Sequence, residues 1–370
     1  MDHPADRILV LNAGSSSLKL GLFDAAETRL TEAEVAWTVD VHEVDGHRRA
    51  LRQLLAGVDL GGIAAVGHRV VHGGTRFAAP VVVDDAVRAG IAELATLAPL
   101  HIPAALDAIE AVEEALPGVP QVACFDTAFH RRMPRLAQLY ALPLRLTEAG
   151  VIRYGFHGLS YESIVDQLRV AGDPAAGGRL VIAHLGNGAS MAAVRDGRGV
   201  DTTMGFTPTG GLMMGTRSGD LDPGVLLHLL QIERMAPAAI GALVNRESGL
   251  LGVSGISADM RDLLGQEAAD PRAAEAVALF CYQAKKFLGA LVAVLGGVDT
   301  VVFTGGIGEH AAPVRERICA GLDGFGLRID PTRNRKPAAI ISPDGAAVTV
   351  RVMHTDEDLM IARQTATLVR

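Results

Sequence analysis

Asn12 to Lys19 (NAGSSSLK) gathers an amide, three hydroxyls, a glycine for close backbone approach and one fixed cation. Such a set suits an anion, although the same string also reads as a flexible polar turn. It is not a Walker A loop, because Gly-Lys-Ser/Thr is missing and a strand rather than a helix follows. His184 to Gly188 (HLGNG) is a comparable tip, with two glycines flanking an asparagine; an ordinary Asn-Gly hairpin turn is the alternative. Thr304 to His310 (TGGIGEH) reads as a glycine-rich turn between a strand and a helix, where a ligand can lie against the backbone. A dinucleotide fold would want a third glycine and an acidic residue about 20 residues on. The segment therefore suggests a nucleotide-base or ribose pocket and argues against a dehydrogenase.

The charges that could act on a phosphoryl group stand elsewhere. Arg69 in GHRVVHGG and Arg217 in GTRSGDLDPG each read singly as surface ion-pair members, and together as a pair flanking a transferring group. His68 and His72 are spaced i, i+4, but on a strand that spacing does not put both rings on one metal. Asp126 in CFDTAFH and Glu357 in HTDEDL each stand where a helix is expected to begin. N-capping is the ordinary role for both, and magnesium ligation is the sharper one.

The elements that must position these groups come in two sets. Arg7 to Asp24 and Arg179 to Gly197 repeat one pattern: an apolar run, a Gly/Ser/Asn turn, and a second strand ending near an aspartate. From Arg7 to about Val41 the alternation reads as an antiparallel meander. Helices are expected at Val44 to Ala56, Asp84 to Leu97 and Pro103 to Leu116, with the strand-like IAAVGHRVVHGG and VPQVACFDT among them. After a boundary near Thr147 the pattern restarts. It runs through the hairpin at Leu180, the loop Met204 to Asp222, and helices at Pro223 to Ile232 and Ala236 to Val244. The helix Arg272 to Leu295, the strand TVVFTGG and the helix Ala312 to Gly321 follow. Strands near Ala338 to Ile341 and Ala347 to Met353 lead to a last helix, Asp356 to Leu368, expected to pack back on the first lobe. Residues 1–147 thus form an N-terminal lobe and 148–355 a C-terminal nucleotide-binding lobe, both α/β.

A chain of 370 residues suits two such domains. The net charge of −8 and the shortness of the basic clusters at Arg131 to Arg135 and Arg333 to Lys336 argue against nucleic-acid and membrane-surface roles. Cys124, Cys281 and Cys319 are far apart, which suggests neither a disulfide framework nor a thiolate metal site and fits a reducing cytoplasm. No signal peptide is expected, since a strand begins by Arg7 without a basic and apolar leader. Arg272 to Gly297 is interrupted by Lys285 and Lys286 and reads as a buried helix.

NAGSSSLK, GHRVVHGG, CFDTAFH, RYGFHG, HLGNGAS, DTTMGFTPTGGLMMGTRSGDLDP, GVSGISADMRDL and FTGGIGEH, in this order, resemble the acetate kinase family of acyl-phosphate-forming kinases. The resemblance runs from Asn12 to Glu357. It implies the ribonuclease H-like fold of acetate and sugar kinases, Hsp70 and actin, with two duplicated lobes about a central cleft. It also implies a homodimer that uses ATP/ADP as co-substrate and Mg2+, with Mn2+ as substitute. By the same resemblance Asn12 and Glu357 are tied to the metal and Lys19 to ATP. Arg69 and Arg217 serve the phosphoryl group and the carboxylate substrate, His157 stabilises the transition state, and Asp126 is an essential carboxylate. The nucleotide segments are His184, Leu185, Gly186, Asn187 and Gly188; Asp259, Met260 and Arg261; and Gly306, Ile307, Gly308, Glu309 and His310. Val71, Leu100, Phe156 and Pro208 match an apolar pocket for the substrate's carbon tail. Tyr161, Gly210 and His310 depart from the family pattern, where a second His, a Glu and an Asn are usual. The chain is also shorter than most members, through loops trimmed in the first lobe and near Gly172 to Gly178.

The implied reaction is reversible transfer of the ATP γ-phosphoryl group to acetate, giving acetyl phosphate. A carboxylate with a pKa of about 4 is ionised at pH 7 and needs no general base. Asp126 is then expected to orient an arginine or the metal. The alternatives are a propionate or butyrate kinase of the same family, a sugar kinase with Asp126 as base, and a nucleotide-switched binding protein on the same fold.

Overall fold

The computed structural model describes residues 6–13, 17–36, 51–99, 101–336 and 338–369. It divides into two compact units, one of Met1–Arg131, Phe156–Ser163 and Asp356–Arg370, the other of Arg132–Gly155 and Ile164–Thr355. The first crossing falls after Arg131, ahead of the boundary expected near Thr147.

In the first unit the strands are β1 (Arg7–Ala13), β2 (Ser17–Phe23), β3 (Arg29–Ala36), β4 (Ile63–Val70), β5 (Val81–Val82) and β6 (Gln121–Phe125). Among the described residues they form one sheet in the order β3-β2-β1-β4-β6-β5. Strands β1, β2 and β3 pair antiparallel, whereas β1, β4 and β6 run parallel. The apolar run of β1 follows from burial on both faces. Leu9 and Leu11 pack with Leu51, Leu54, Leu55 and the helix Ile102–Ala115, while Ile8 and Val10 pack with Met360, Ile361 and Ala362 of the helix Glu357–Val369. The last helix therefore belongs to the first unit's core, where β1 and β4 carry it. Of the helix expected at Val44 to Ala56, residues 51–56 are helical and the rest lies outside the described residues.

The second unit repeats the plan. Its strands are β7 (Arg179–Leu185), β8 (Ala189–Arg195), β9 (Arg198–Thr202), β10 (Thr300–Thr304) and β11 (Thr349–Val352), in the order β11-β10-β7-β8-β9. The pairs β7/β8 and β8/β9 are antiparallel, and β7, β10 and β11 are parallel. The two units thus share one strand plan, the duplicated α/β arrangement of the ribonuclease H-like folds, and Asn12 on β1 answers to His184 on β7. The helix Pro271–Leu295 is long and apolar enough to cross a membrane. One of its faces, including Phe280, Leu288 and Leu291, is buried. Asp270 caps its start, and Gly296 in the left-handed region ends it.

Several elements differ from the sequence reading, among them short helices at Arg135–Gln138, Gly249–Ser254 and Met260–Gln266. TGGIGEH is not a turn but the helix Gly305–His310. Glu309 accepts the Gly305 N–H at 3.0 Å, and Arg315 Nη1 donates to the Gly308 and Glu309 carbonyls at 2.8 and 2.9 Å, so side chains satisfy both ends of a short helix. The helix Gly158–Val170 stands where the sequence pattern gives no element. Between Ala338 and Ile341 the structure has an isolated bridge, Ile340 to Arg351, in place of a strand.

Candidate functional site

In the first unit the carboxyl ends of the parallel strands bring three polar side chains together. Asn12 and Arg69 are each the last residue but one of β1 and β4, and Asp126 directly follows β6. This is where open α/β sheets hold ligands. Arg69 Nε donates to Asp126 Oδ1 and Oδ2 at 3.1 and 3.2 Å, and its Nη2 lies 2.6 Å from Oδ2. Its Nη1 donates to Asn12 Oδ1 at 3.0 Å. A guanidinium has five N–H donors, so one remains on each terminal nitrogen. Burial works against the Arg69 charge, but Asp126, Glu357 and Asp358 outweigh it and raise the pKa. Asp126 is 1% exposed and does not begin a helix; its carboxylate is committed to Arg69. That corrects the capping expectation: in place of a cap, Asp126 holds the Arg69 guanidinium.

Glu357 opens the C-terminal helix, but the cap is Asp356, which accepts the Leu359 N–H at 2.9 Å. Burial, and the like charges of Asp358 and Asp356, push the Glu357 carboxyl above its ordinary range, against the pull of Arg69 and Lys19. Lys19 sits opposite Asn12 in the β1/β2 ladder, with its Nζ 3.9 Å from Glu34. Glu357 and the Asn12 amide offer hard oxygen donors. Among the described residues no group of three or more His, Cys, Asp or Glu side chains gathers as a metal set. A sparse oxygen set fits Mg2+, which completes its shell with water and phosphate oxygens.

His157 precedes the helix Gly158–Val170 with φ of 57°, a left-handed conformation unusual for a residue with a Cβ. The Gly158 N–H donates to the Asp126 carbonyl at 2.9 Å and the His157 carbonyl accepts from Tyr161 at 3.1 Å, which pins this turn beside Asp126. Tyr161 is fully buried against Phe129 and His130. Val71 and Phe156 are also buried in this unit. The His72 ring meets Phe156 edge-on at 5.5 Å, and His130 Nε2 donates to the Phe156 carbonyl at 3.0 Å. Leu100, and Gly14 to Ser16 of the first tip, lie outside the described residues.

In the second unit a cavity of about 600 Å³ is lined by Gly186 and Asn187, by Asp259, Met260 and Arg261, and by Gly306, Ile307 and His310. Three segments far apart in sequence thus meet around one space large enough for a nucleotide. Ala258, Leu264, Ala311 and Pro313 complete it and were missed, being plain apolar residues with no pattern of their own. His184, Leu185, Gly188, Gly308 and Glu309 belong to the same elements but do not line the space. The Gly186 N–H closes the hairpin onto the Gly188 carbonyl at 3.0 Å, and Glu309 is spent on Gly305 and on His354 Nδ1, 3.0 Å away. Asp259 caps the helix Met260–Gln266; the Arg261 side chain and N–H hold its carboxyl below the usual range. Arg217 Nη1 donates to the Pro208 carbonyl at 3.2 Å, joining two candidate residues. A Cβ on Gly210 would stand 3.3 Å from Asp220 Oδ1, so a glutamate there would crowd a carboxylate.

The profile of the acetokinase family matches residues 39–363. An acetate kinase of Rhodopseudomonas palustris is 47% identical over 97% of both chains, and one of Acetivibrio thermocellus is 41% identical over 98% of this chain and 99% of its own. Among solved structures, the acetate kinase of Porphyromonas gingivalis superposes with a TM-score of 0.88 at 38% identity, covering 99% of this chain and 100% of that one. A propionate kinase from Francisella tularensis gives 0.89 at 35% identity over 98% of this chain and 100% of its own.

Proposed function

The chain belongs to the acetokinase family, and on that premise we propose that it transfers the γ-phosphoryl group of ATP reversibly to acetate, giving acetyl phosphate and ADP. The observation that carries this reading is the Arg69 guanidinium, locked by Asp126 and Asn12 with an N–H left on each terminal nitrogen. Such a group binds a carboxylate and cannot act as a base.

The difficulty in this reaction is repulsion between an anionic acceptor and a polyanionic donor. The acceptor is already ionised, so Asp126 is a positioning group for Arg69 and takes no proton. Arg69 holds the carboxylate, and Arg217 and His157 act on the equatorial oxygens of the transferring group. Arginine contributions of this kind reach roughly 10³ to 10⁵ in rate, or about 4 to 7 kcal/mol. The second unit's cavity takes the nucleotide, with Met260, Leu264 and Ile307 supplying apolar walls for the base. The family pattern assigns Lys19 to ATP. Asn12 and Glu357 hold Mg2+, which offsets phosphate charge when bound. The family pattern assigns the substrate's short carbon tail to Val71, Leu100, Phe156 and Pro208.

The homodimer and the cytoplasm belong to the same reading. The helix Pro223–Gln231 buries none of its residues, and Val225, Leu227 and Leu230 on it, with Leu221 and Ile232 beside it, are exposed, which supports a second copy as the covering surface. Cys124, Cys281 and Cys319 are free thiols, in keeping with a reducing compartment.

The test is carboxylate-dependent ADP formation with hydroxylamine trapping across formate, acetate, propionate and butyrate. Acetate should give the highest kcat/KM. A maximum at a longer acid assigns the propionate or butyrate alternative, and ADP formation indifferent to every acid overturns the reading.

A further inference from the structure

Three carboxylates follow one another at the start of the C-terminal helix, and Arg29 sorts them. Its Nη2 donates to Asp356 Oδ1 at 2.7 Å and its Nη1 to Asp358 Oδ2 at 3.2 Å, while Glu357, between them, stays outside this clamp. The other oxygen of Asp358 accepts from Asn12 Nδ2 at 3.0 Å, and Asn12 Oδ1 accepts from Arg69 Nη1, also at 3.0 Å. A continuous chain therefore runs from Arg29 through Asp358, Asn12 and Arg69 to Asp126. Arg29 is itself held, with its guanidinium carbon 4.8 Å above the Phe23 ring and its side chain passing over Gly21, where a Cβ would come within 3.3 Å of Nη1. Asp358 is 7% exposed and so cannot rely on water for its charge. Without Arg29, the strong cation within reach of its field is Arg69, on which Asp358 already acts.

We propose that Arg29 is a positioning residue for the substrate arginine: by holding Asp356 and Asp358 it keeps Asp358 on Asn12 and off Arg69, so that the remaining Arg69 N–H groups stay open to the incoming carboxylate. The inference rests on the reading of Arg69 as the carboxylate-binding group. A stray internal carboxylate on Arg69 competes with acetate and not with ATP, so only the acetate KM should respond.

The experiment compares wild type, Arg29→Met, Arg29→Lys and the double variant Arg29→Met/Asp358→Asn, with Arg7→Met as a control taken from the exposed Arg7–Asp59 pair. Arg29→Met should raise the acetate KM about tenfold and leave the ATP KM within about twofold. Arg29→Lys should fall between, because one ammonium cannot fork two carboxylates. The double variant should return the acetate KM to within about threefold of wild type, since the competing charge is gone. Should Arg29→Met not fold, Arg29→Lys and the double variant carry the comparison. An acetate KM that stays at the wild-type value in the Arg29 variants, or a rise that persists in the double variant, overturns the proposal. So does a fall in kcat and melting temperature with both KM values unchanged, the mark of a merely structural role. Wild-type protein that forms no acyl phosphate from any acid overturns the functional reading and takes this inference with it.

Discussion

The backbone carbonyl of Asp126 accepts the Gly158 N–H at 2.9 Å while the carboxylate of the same residue lies 2.6 Å from Arg69 Nη2. One aspartate thus ties the turn that carries His157 to the arginine at the strand ends. A Cβ on residue 158 would stand 2.1 Å from that carbonyl, so Gly158→Ala must separate the two backbones. Overpacking of this kind costs about 1 to 3 kcal/mol, and the melting temperature should fall by several degrees. The turnover number should drop at least about tenfold as His157 moves with the turn. Thermal melts and initial rates on one preparation check both, and wild-type turnover with a lowered melting temperature would detach His157 from the chemistry.

Asp126→Asn tests the arginine anchor directly. Removing one partner of a buried ion pair costs about 3 to 5 kcal/mol, and an untethered Arg69 should raise the acetate KM and lower kcat about 100-fold between them. The ATP KM should hardly change. If the acetate KM is unaffected, the guanidinium is not the carboxylate site.

The parts of this site that could be read from the sequence are those whose cause is local. The runs at β1 and β7 are apolar because both faces of each strand are covered, and the tips that follow them are polar because each chain must reverse there. Arg69 and Asp126 stood out as charges beside such runs. Asp358 did not, since its meaning depends on an amide 346 residues away. Arg29 looked like any charged residue at a strand's start. The helix Gly158–Val170 was hidden because it begins on a positive-φ histidine and carries the polar residues Ser160, Glu162, Ser163 and Asp166 among its apolar ones. The helix Gly305–His310 was hidden because glycines disfavour helices, and only the contacts of Glu309 and Arg315 reverse that preference. Tertiary partners overrode local propensity in both cases.

Gly306 lines the second unit's cavity, and a Cβ built on it meets nothing within 4 Å. Gly306→Leu should therefore leave the fold intact, with a melting temperature equal to or above wild type, because replacing a helical glycine recovers about 0.5 to 1 kcal/mol. The new side chain would occupy nucleotide space. The ATP KM should rise at least about tenfold at an unchanged acetate KM. Unaltered nucleotide affinity would move the nucleotide out of this cavity.

Stability should depend on pH through His68, which directly precedes Arg69 on β4. Its ring is buried, Nε2 donates to Gln121 Oε1 at 2.7 Å, and desolvation lowers its pKa to about 4 from 6.5, against the opposing Gln121 bond. The folded form thus binds the proton less well than the unfolded chain. The stability that neutral His68 allows is present above pH 6.5 and is lost as the pH falls from there towards 4. At pH 5 the loss from this residue is about 2 kcal/mol, at 1.36 kcal/mol for each pKa unit. Urea unfolding at pH 7.5 and 5 should show the difference, and His68→Asn should lose less between those two values. An identical loss in the variant assigns the acid sensitivity to other groups.

The exposed apolar face decides whether the molecule works alone. Val225, Leu227, Leu230 and Ile232 are 44, 52, 38 and 66% exposed, on or directly after a helix that buries none of its residues against its own chain. A monomer gains nothing by presenting such a row to water, whereas a second copy covering it by two-fold symmetry would bury the same residues twice. Leu227→Asp with Ile232→Asp places two charges on that face without touching the cavity, Arg69 or Arg217. Light scattering after size exclusion should show the wild type at twice the chain mass and the double variant at the mass of one chain. Neither substituted position is buried, so the variant should keep its fold by circular dichroism. If the variant keeps the wild-type mass, the contact between copies lies elsewhere on the surface. If it falls to one chain mass and retains full turnover, each copy carries a complete site of its own.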